Sequence, residues 1–278
     1  MSEEKLSIDS RVSLSDGNSM PLLGLGTWAA QPGGETRDAV AFALETGYRH
    51  IDTAKMYGNE QDVGEAVRQS SIPRQEIFVT TKLWDSDQGY QTAHDAFDRS
   101  MDQLGLEYID LYLIHWPVEK LRNDSWRALN DIKESGRTRS IGVSNFSHKH
   151  LQELYSHSDI QPVVNQIELS PFLQQPLIVS FCQSENIQLT GYCPLAKGRR
   201  FDEPVLADIA KKHSKSPAQV MIRWALQNRQ AVIPKSSNPK RIVQNADIFD
   251  FQIGVDEMVR LDGLDDDSRY CPDPLSMP

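Results

Sequence analysis

Apolar positions along the chain fall into two alternating patterns. Eight short segments are near-continuous in apolar or β-branched residues: PLLGLGTW (21–28), YRHIDTA (48–54), IFVTTKLW (77–84), IDLYLIHW (109–116), RSIGVSNF (139–146), PVVNQIEL (162–169), IQLTGYCPL (187–195) and AVIPKS (231–236). Several lack in–out alternation, as expected of strands buried on both faces of a parallel sheet. Between them, apolar residues recur every three or four positions. In YQTAHDAFDRSMDQLG these are Ala93, Phe97, Met101 and Leu104, one face of a helix. EPVLADIAKKH and SPAQVMIRWALQN repeat the pattern, with Pro204 and Pro217 where first-turn prolines belong. DSWRALNDIKESG runs out at Gly136, a helix-ending residue.

Eight strand–helix alternations with short connections, and no linker or change of composition, predict an α/β fold. The expectation is one closed (β/α)8 TIM barrel formed by residues 1–278 as a single domain. Upstream of the first strand, RVSLSDGNSMP places an Asp-Gly turn between apolar stretches, which predicts a β-hairpin able to plug the barrel's bottom. Downstream of the eighth, NPKRIVQNADIFDF and VDEMVRLDGL predict two further helices, the second an extra C-terminal one, before the short tail RYCPDPLSMP. A hydrophobic content of 39% with 24% charged residues supports a sizeable core and argues against disorder.

Charge narrows the partners. A net charge of −10 disfavours nucleic acid and anionic membrane surfaces, which require a basic face. No apolar run approaches the ~20 residues of a membrane span. The segment MSEEKLSIDSR has neither the apolar core of a signal peptide nor an Arg-rich transit pattern. Cys182, Cys193 and Cys271, odd in number and without a CxxC pair, read as reduced thiols of a cytoplasmic protein. No exposed apolar seam is apparent, so a monomer is expected.

In such barrels chemistry gathers at the C-terminal ends of the strands. Those ends carry Asp52 with Tyr57 just beyond, Lys82, His115 with Trp116, Ser144 with Asn145, Gln166 with Glu168, Tyr192, and Lys235 with Ser236. Taken singly, Asp52 reads as a helix cap and Tyr57 as an amphipathic surface residue. Together the residues mean more. Lys82 ends a buried strand, where an unpaired ammonium is costly, and Asp52 on the neighbouring strand is its natural partner. A phenol beside that cation is expected to titrate below its usual ~10. His115 adds a neutral donor that can orient a carbonyl oxygen. A buried ion pair with a satisfied histidine is the simpler account of any one of these residues, but an acid–base site is the better account of all four at four matching positions.

The motifs resemble those of the aldo-keto reductases: GYRHIDTAKMYGNE (47–60), TKLW (81–84), His115-Trp-Pro, IGVSNF (141–146), NQIE (165–168), and IPKS followed by Arg241 and Asn245. They run from about Met20 to Phe251. The resemblance implies an eight-fold barrel that binds NADPH or NADP+ without a Rossmann domain and reduces small aldehydes or ketones. It implies Tyr57 as general acid, Lys82 and Asp52 tuning it, and His115 orienting the substrate. Trp28, Trp84 and Trp116 would wall the substrate pocket. Ser144, Asn145 and Gln166 would bind the nicotinamide carboxamide, and Tyr192 would stack on its ring. Lys235, Ser236 and Arg241 would clamp the 2′-phosphate, Gln244 and Asn245 would meet adenine, and Asp52, Thr27, Trp28, Cys193, Leu195 and Ser237 would complete the cofactor contacts. The chain departs from the family pattern at Cys193, where serine is common, at Gln244, where glutamate is, and at Ser170, where histidine is. The short loop VEKLRNDSW and short tail resemble the compact members, whose sites are open and whose substrates are varied.

Other readings are weaker. GLGTWA (24–29) matches a dinucleotide fingerprint in form, but QPGG follows where a helix would have to open. The HKH at 148–150 falls at a helix start and no further ligands complete a metal site, so no metal is expected. Two rival functions fit a barrel: an NADPH-binding redox sensor with little turnover, and a phosphate-binding isomerase or lyase. The intact acid–base set opposes the first, and the tyrosine acid is superfluous in the second.

Overall fold

The computed structural model describes residues 5–276. A two-stranded antiparallel hairpin, β1 (Arg11–Ser13) and β2 (Ser19–Pro21), precedes the barrel. The barrel strands are β3 (Leu25–Gly26), β4 (His50–Asp52), β5 (Phe78–Leu83), β6 (Ile109–Ile114), β7 (Thr138–Ser144), β8 (Val164–Glu168), β9 (Gln188–Tyr192) and β10 (Ala231–Val232). Successive strands pair in parallel in sequence order from β3 to β10. Bridges Leu23↔Val232 and Gly26↔Lys235 join the two ends. The sheet thus closes as a (β/α)8 barrel. At the seam, a Cβ on Gly26 would lie 2.7 Å from the Ile233 carbonyl oxygen, so glycine is what lets β3 approach so closely.

All eight predicted strand segments contain a strand, but the first and last are two residues long. Their apolar runs continue as irregular chain that closes the seam and lines the barrel mouth. The helices are α1 (Gly34–Glu45), α2 (Glu60–Gln69), α3 (Tyr90–Leu104), α4 (Arg122–Glu134), α5 (His148–His157), α6 (Pro176–Ser184), α7 (Pro204–Lys212), α8 (Pro217–Gln227), α9 (Pro239–Ala246) and α10 (Val255–Asp262). Pro204 and Pro217 occupy first-turn positions. Gly136 lies one residue beyond the C-cap of α4, with φ 76°. Ala93, Phe97 and Leu104 of α3 are buried against the sheet, whereas Met101 is half-buried.

The hairpin lies at the N-terminal mouth. Asn18 Nδ2 donates to the Arg139 carbonyl near the start of β7 at 3.0 Å, and Asp16 pairs with Lys133 at 2.8 Å. Met20 and Leu14 are buried beneath it. His50, at the start of β4, is buried and its Nε2 meets Thr80 Oγ1 at 3.0 Å. Burial lowers its pKa to about 4. A histidine buried neutral binds fewer protons than its unfolded counterpart, so stability must fall as pH drops below the unfolded value of ~6.5, until the folded value is passed. His50 therefore removes about 3 kcal/mol between pH 6.5 and 4. Urea unfolding at pH 7 and pH 5 checks this; equal stabilities at the two pH values contradict it.

Candidate active site

The C-terminal mouth of the barrel assembles a charged centre from three strands. Lys82 on β5 is fully buried, and Asp52 ends β4. Lys82 Nζ donates to Asp52 Oδ1 at 2.6 Å and to the Thr53 carbonyl at 2.8 Å. The second oxygen of Asp52 accepts from Gln166 Nε2 of β8 at 2.7 Å. The carboxylate thus serves a cation on one side and an amide from across the barrel on the other. Burial pulls the Lys82 ammonium below its usual value and Asp52 opposes that pull.

Tyr57 sits at the end of a single 3-10 turn, Lys55–Tyr57, which Gly58 closes in the left-handed region. This places its ring centroid 5.1 Å from Lys82 Nζ and 5.8 Å, edge-on, from His115. The expectation of a lowered phenol pKa is corrected: burial, with Asp52 adding in the same direction, raises it well above 10. The physical reason is that the Lys82 charge is already met by Asp52, so desolvation of the phenolate dominates. His115 follows β6; burial, and then Lys82, hold its pKa well below 6.5, so the imidazole is neutral. Trp84 meets its ring edge-on at 5.2 Å and Trp116 stacks at 6.4 Å.

A cavity of about 860 Å³ opens over this centre. Asp52, Tyr57, His115 and the aromatic rings of Trp28, Trp84 and Trp116 line one part. Trp28 is 48% exposed, which leaves that side open to solvent. Ser144, Asn145, Gln166, Tyr192, Cys193 and Leu195 also face the cavity. Asn145 adopts φ 65°, and its side chain ties the wall together: Nδ2 donates to the His115 carbonyl at 3.0 Å and Oδ1 accepts from Tyr192 Oη at 2.7 Å. Ser144 Oγ donates to the Gln166 carbonyl.

The cavity extends to Lys235, Arg241, Gln244 and Asn245. Lys235 is exposed, with Glu35 3.9 Å away. Asn238 caps α9, its side-chain oxygen accepting from the amides of Lys240 and Arg241. Three predicted cofactor residues do not face the cavity. Thr27 is buried and donates to the Asp52 carbonyl; Ser236 Oγ accepts from the Asn238 amide; Ser237 is half-buried outside the lining. Strand-end position alone does not say which way a side chain turns, and the Thr27 and Ser236 hydroxyls are taken up by backbone groups.

Sequence reasoning missed Lys197, Phe201 and Cys271, which also line the cavity. Lys197 lies 5.3 Å from the Trp28 ring and donates to the Tyr270 carbonyl. The basic run KGRR (197–200) was a usable signal for it. Nothing local marks Phe201 or Cys271. Non-glycine residues Cys193, Ala196 and Lys197 have φ of 52°, 49° and 53°, so the turn after β9 holds unfavourable backbone where it borders the cavity.

Fold and site together define a (β/α)8 barrel carrying a buried lysine–aspartate pair, a tyrosine and a neutral histidine at the mouth of a large cavity. The chain belongs to the aldo/keto reductase family, whose sequence pattern matches residues 22–266. It is 50% identical over 266 residues to a 9,11-endoperoxide prostaglandin H2 reductase of Trypanosoma cruzi, covering 95% of this chain and 94% of that one. It is 45% identical to a glyoxal reductase of Bacillus subtilis, over 96% and 97% of the two chains. Among solved structures, an aldo-keto reductase of Bombyx mori in complex with NADP aligns with TM-score 0.89 at 37% identity, over 95% of each chain. A variant of Gox0644 in complex with NADPH aligns with TM-score 0.92 at 43% identity, over 96% and 98%. Among the described residues, no helix is long and apolar enough to cross a membrane.

Proposed function

We propose that this protein is an NADPH-dependent reductase of aldehydes and ketones, working on a single barrel domain with Tyr57 as the proton donor. The observation that carries the reading is one continuous cavity with Asp52, Tyr57 and His115 in one part, Lys82 buried behind them and paired with Asp52, and Lys235 and Arg241 in another. The donor set fits the cofactor. Ser144, Asn145 and Gln166 present hydrogen-bonding side chains beside the ring of Tyr192, as a carboxamide and its ring require. Lys235 supplies a point charge and Arg241 a planar fork, the two complements of a phosphate. When bound, NADPH supplies a hydride to a carbonyl carbon.

The chain's own residues do the rest. His115, neutral at physiological pH, can donate to the carbonyl oxygen without a proton-loss equilibrium of its own. Tyr57 keeps its proton at neutral pH because its pKa is raised, which is the state a general acid must start from. As negative charge grows on the carbonyl oxygen, Tyr57 delivers that proton. The ring of the phenolate left behind lies 5.1 Å from the Lys82 ammonium, whose charge is shared with Asp52. The open side at Trp28 favours carbonyl compounds of varied size, in keeping with relatives named for glyoxal and for a prostaglandin endoperoxide. A panel of carbonyl compounds assayed by NADPH consumption tests the reading; a panel without turnover overturns it.

The 2′-phosphate assignment has its own test. Lys235→Met is expected to weaken NADPH binding about tenfold, on the order of 1.4 kcal/mol, and to leave NADH affinity nearly unchanged. Quenching of tryptophan fluorescence by each nucleotide measures both. Equal losses for the two remove Lys235 from that role.

A further inference from the structure

Two of the three cysteines meet at the cavity wall. Cys193 follows β9 in the turn with left-handed φ, and Cys271 comes from the irregular segment after α10. Their sulfurs and a carboxylate oxygen of Glu168 lie within 4.8 Å of one another. Glu168, buried at the end of β8, fixes this meeting: its two oxygens accept from the amides of Tyr270 at 2.8 Å and Cys271 at 3.1 Å. Both sulfur-bearing residues are half-buried and face the cavity, so small solutes reach them. Neither thiol takes part in the proposed proton transfer, and Cys193 enters that reading only as a cofactor contact.

We propose that Cys193 and Cys271 form an oxidation site, in which a peroxide converts the pair to a disulfide that fastens the C-terminal segment to the turn after β9.

The surroundings assign the two sulfurs different parts. The adjoining Cys193 thiol first, and then the charges of Lys197 and Arg269, hold Cys271 below the ordinary thiol range, against burial and Glu168. Cys193 is shifted upward, so it is the second of the two to lose its proton. Cys271 is therefore the attacking thiolate. Its sulfur attacks one peroxide oxygen, the O–O bond breaks, and hydroxide leaves, giving a sulfenic acid. The Cys193 sulfur then attacks that sulfur, the S–O bond breaks, and a second hydroxide leaves as the S–S bond forms. The proton that Cys271 released to solvent on ionising and the one that leaves Cys193 as its sulfur attacks convert both hydroxides to water, so each sulfur is oxidised by one electron and the peroxide is reduced by two. The same two cations disfavour a metal ion in this cluster and favour thiolate chemistry. Closure to the ~2.05 Å of a disulfide brings the two sulfurs together from within 4.8 Å, and the Cys271 segment is neither helix nor strand.

The fastened segment would border the cavity beside Tyr192 and Tyr57, whose phenols both sense Cys271. Weaker NADPH binding is the expected consequence, and this consequence alone rests on the reductase reading. The test treats the reduced full chain with hydrogen peroxide in the presence of EDTA, followed by peptide mapping without reduction. The expected result is a Cys193–Cys271 cross-linked peptide, reversed by dithiothreitol, with buried Cys182 still a thiol. Cys271→Ser should give no cross-link. A map showing Cys271 as sulfinic acid without a cross-link, or a cross-link through Cys182, overturns the proposal. In a parallel fluorescence titration, the cross-linked sample should bind NADPH several-fold more weakly than the same sample after dithiothreitol, and equal affinities overturn the fastening role. Failure of the reduced protein to bind NADPH at all would strike the reductase reading and leave the peptide map to decide the cross-link.

Discussion

Tyr57→Phe lowers kcat for carbonyl reduction by about 10²–10⁴-fold, the range that a positioned general acid contributes, and leaves NADPH affinity intact. The substitution removes one hydroxyl and keeps the ring that packs beside Lys82 and His115 at 5.1 and 5.8 Å, so the cavity wall is preserved. The proton is transferred only as charge develops on the carbonyl oxygen. The loss should therefore appear equally in kcat and kcat/KM, the signature of an interaction confined to the transition state. Steady-state kinetics together with fluorescence titration separate the two readouts. Full turnover in the variant would reject Tyr57 as the acid. Weakened NADPH binding with unchanged kcat would make it a cofactor contact instead.

The second large effect concerns stability. Lys82→Met leaves the Asp52 carboxyl group buried and without its cation, with a single amide from Gln166 as side-chain partner. Breaking one half of a buried ion pair costs about 3–5 kcal/mol, because the remaining charge keeps its desolvation penalty. The double variant Asp52→Asn, Lys82→Met removes that charge as well and should recover a large part of the loss, although it too will be inactive. Urea unfolding of the three proteins measures the cycle. A single-variant loss below about 1 kcal/mol, the level of an exposed pair, would show that water reaches this pair. The contrast also explains why the pair persists. As a stability device it is replaceable; as the charged pair that sits beneath the Tyr57 ring and holds Gln166 through Asp52 it is not.

How much of this was legible beforehand differs from element to element. The eight strand segments were readable because strands buried on both faces need nearly continuous apolar runs. The hairpin was readable from its Asp-Gly turn, and α7 and α8 from proline at the first turn. Asp52, Lys82 and His115 stood out because ionisable residues at the ends of apolar strands are too costly to be idle. The titration of Tyr57 was misjudged. The sequence places a lysine near the phenol, but it does not show that Asp52 already neutralises it while burial acts on the phenol unopposed.

Sequence by itself therefore determined the order of strands and helices, the closed parallel barrel, and the strand ends at which charged and aromatic residues collect, because all of these follow from local periodicity and from the cost of burying charge. Only the tertiary structure decided which side chains meet. Gln166 reaches Asp52 from 114 residues away, Thr27, Ser236 and Ser237 do not line the cavity, and Cys271 returns from the tail to lie beside Cys193. Contacts of that kind depend on barrel closure and on the path of irregular chain, and neither leaves a periodic trace in the residues that make them.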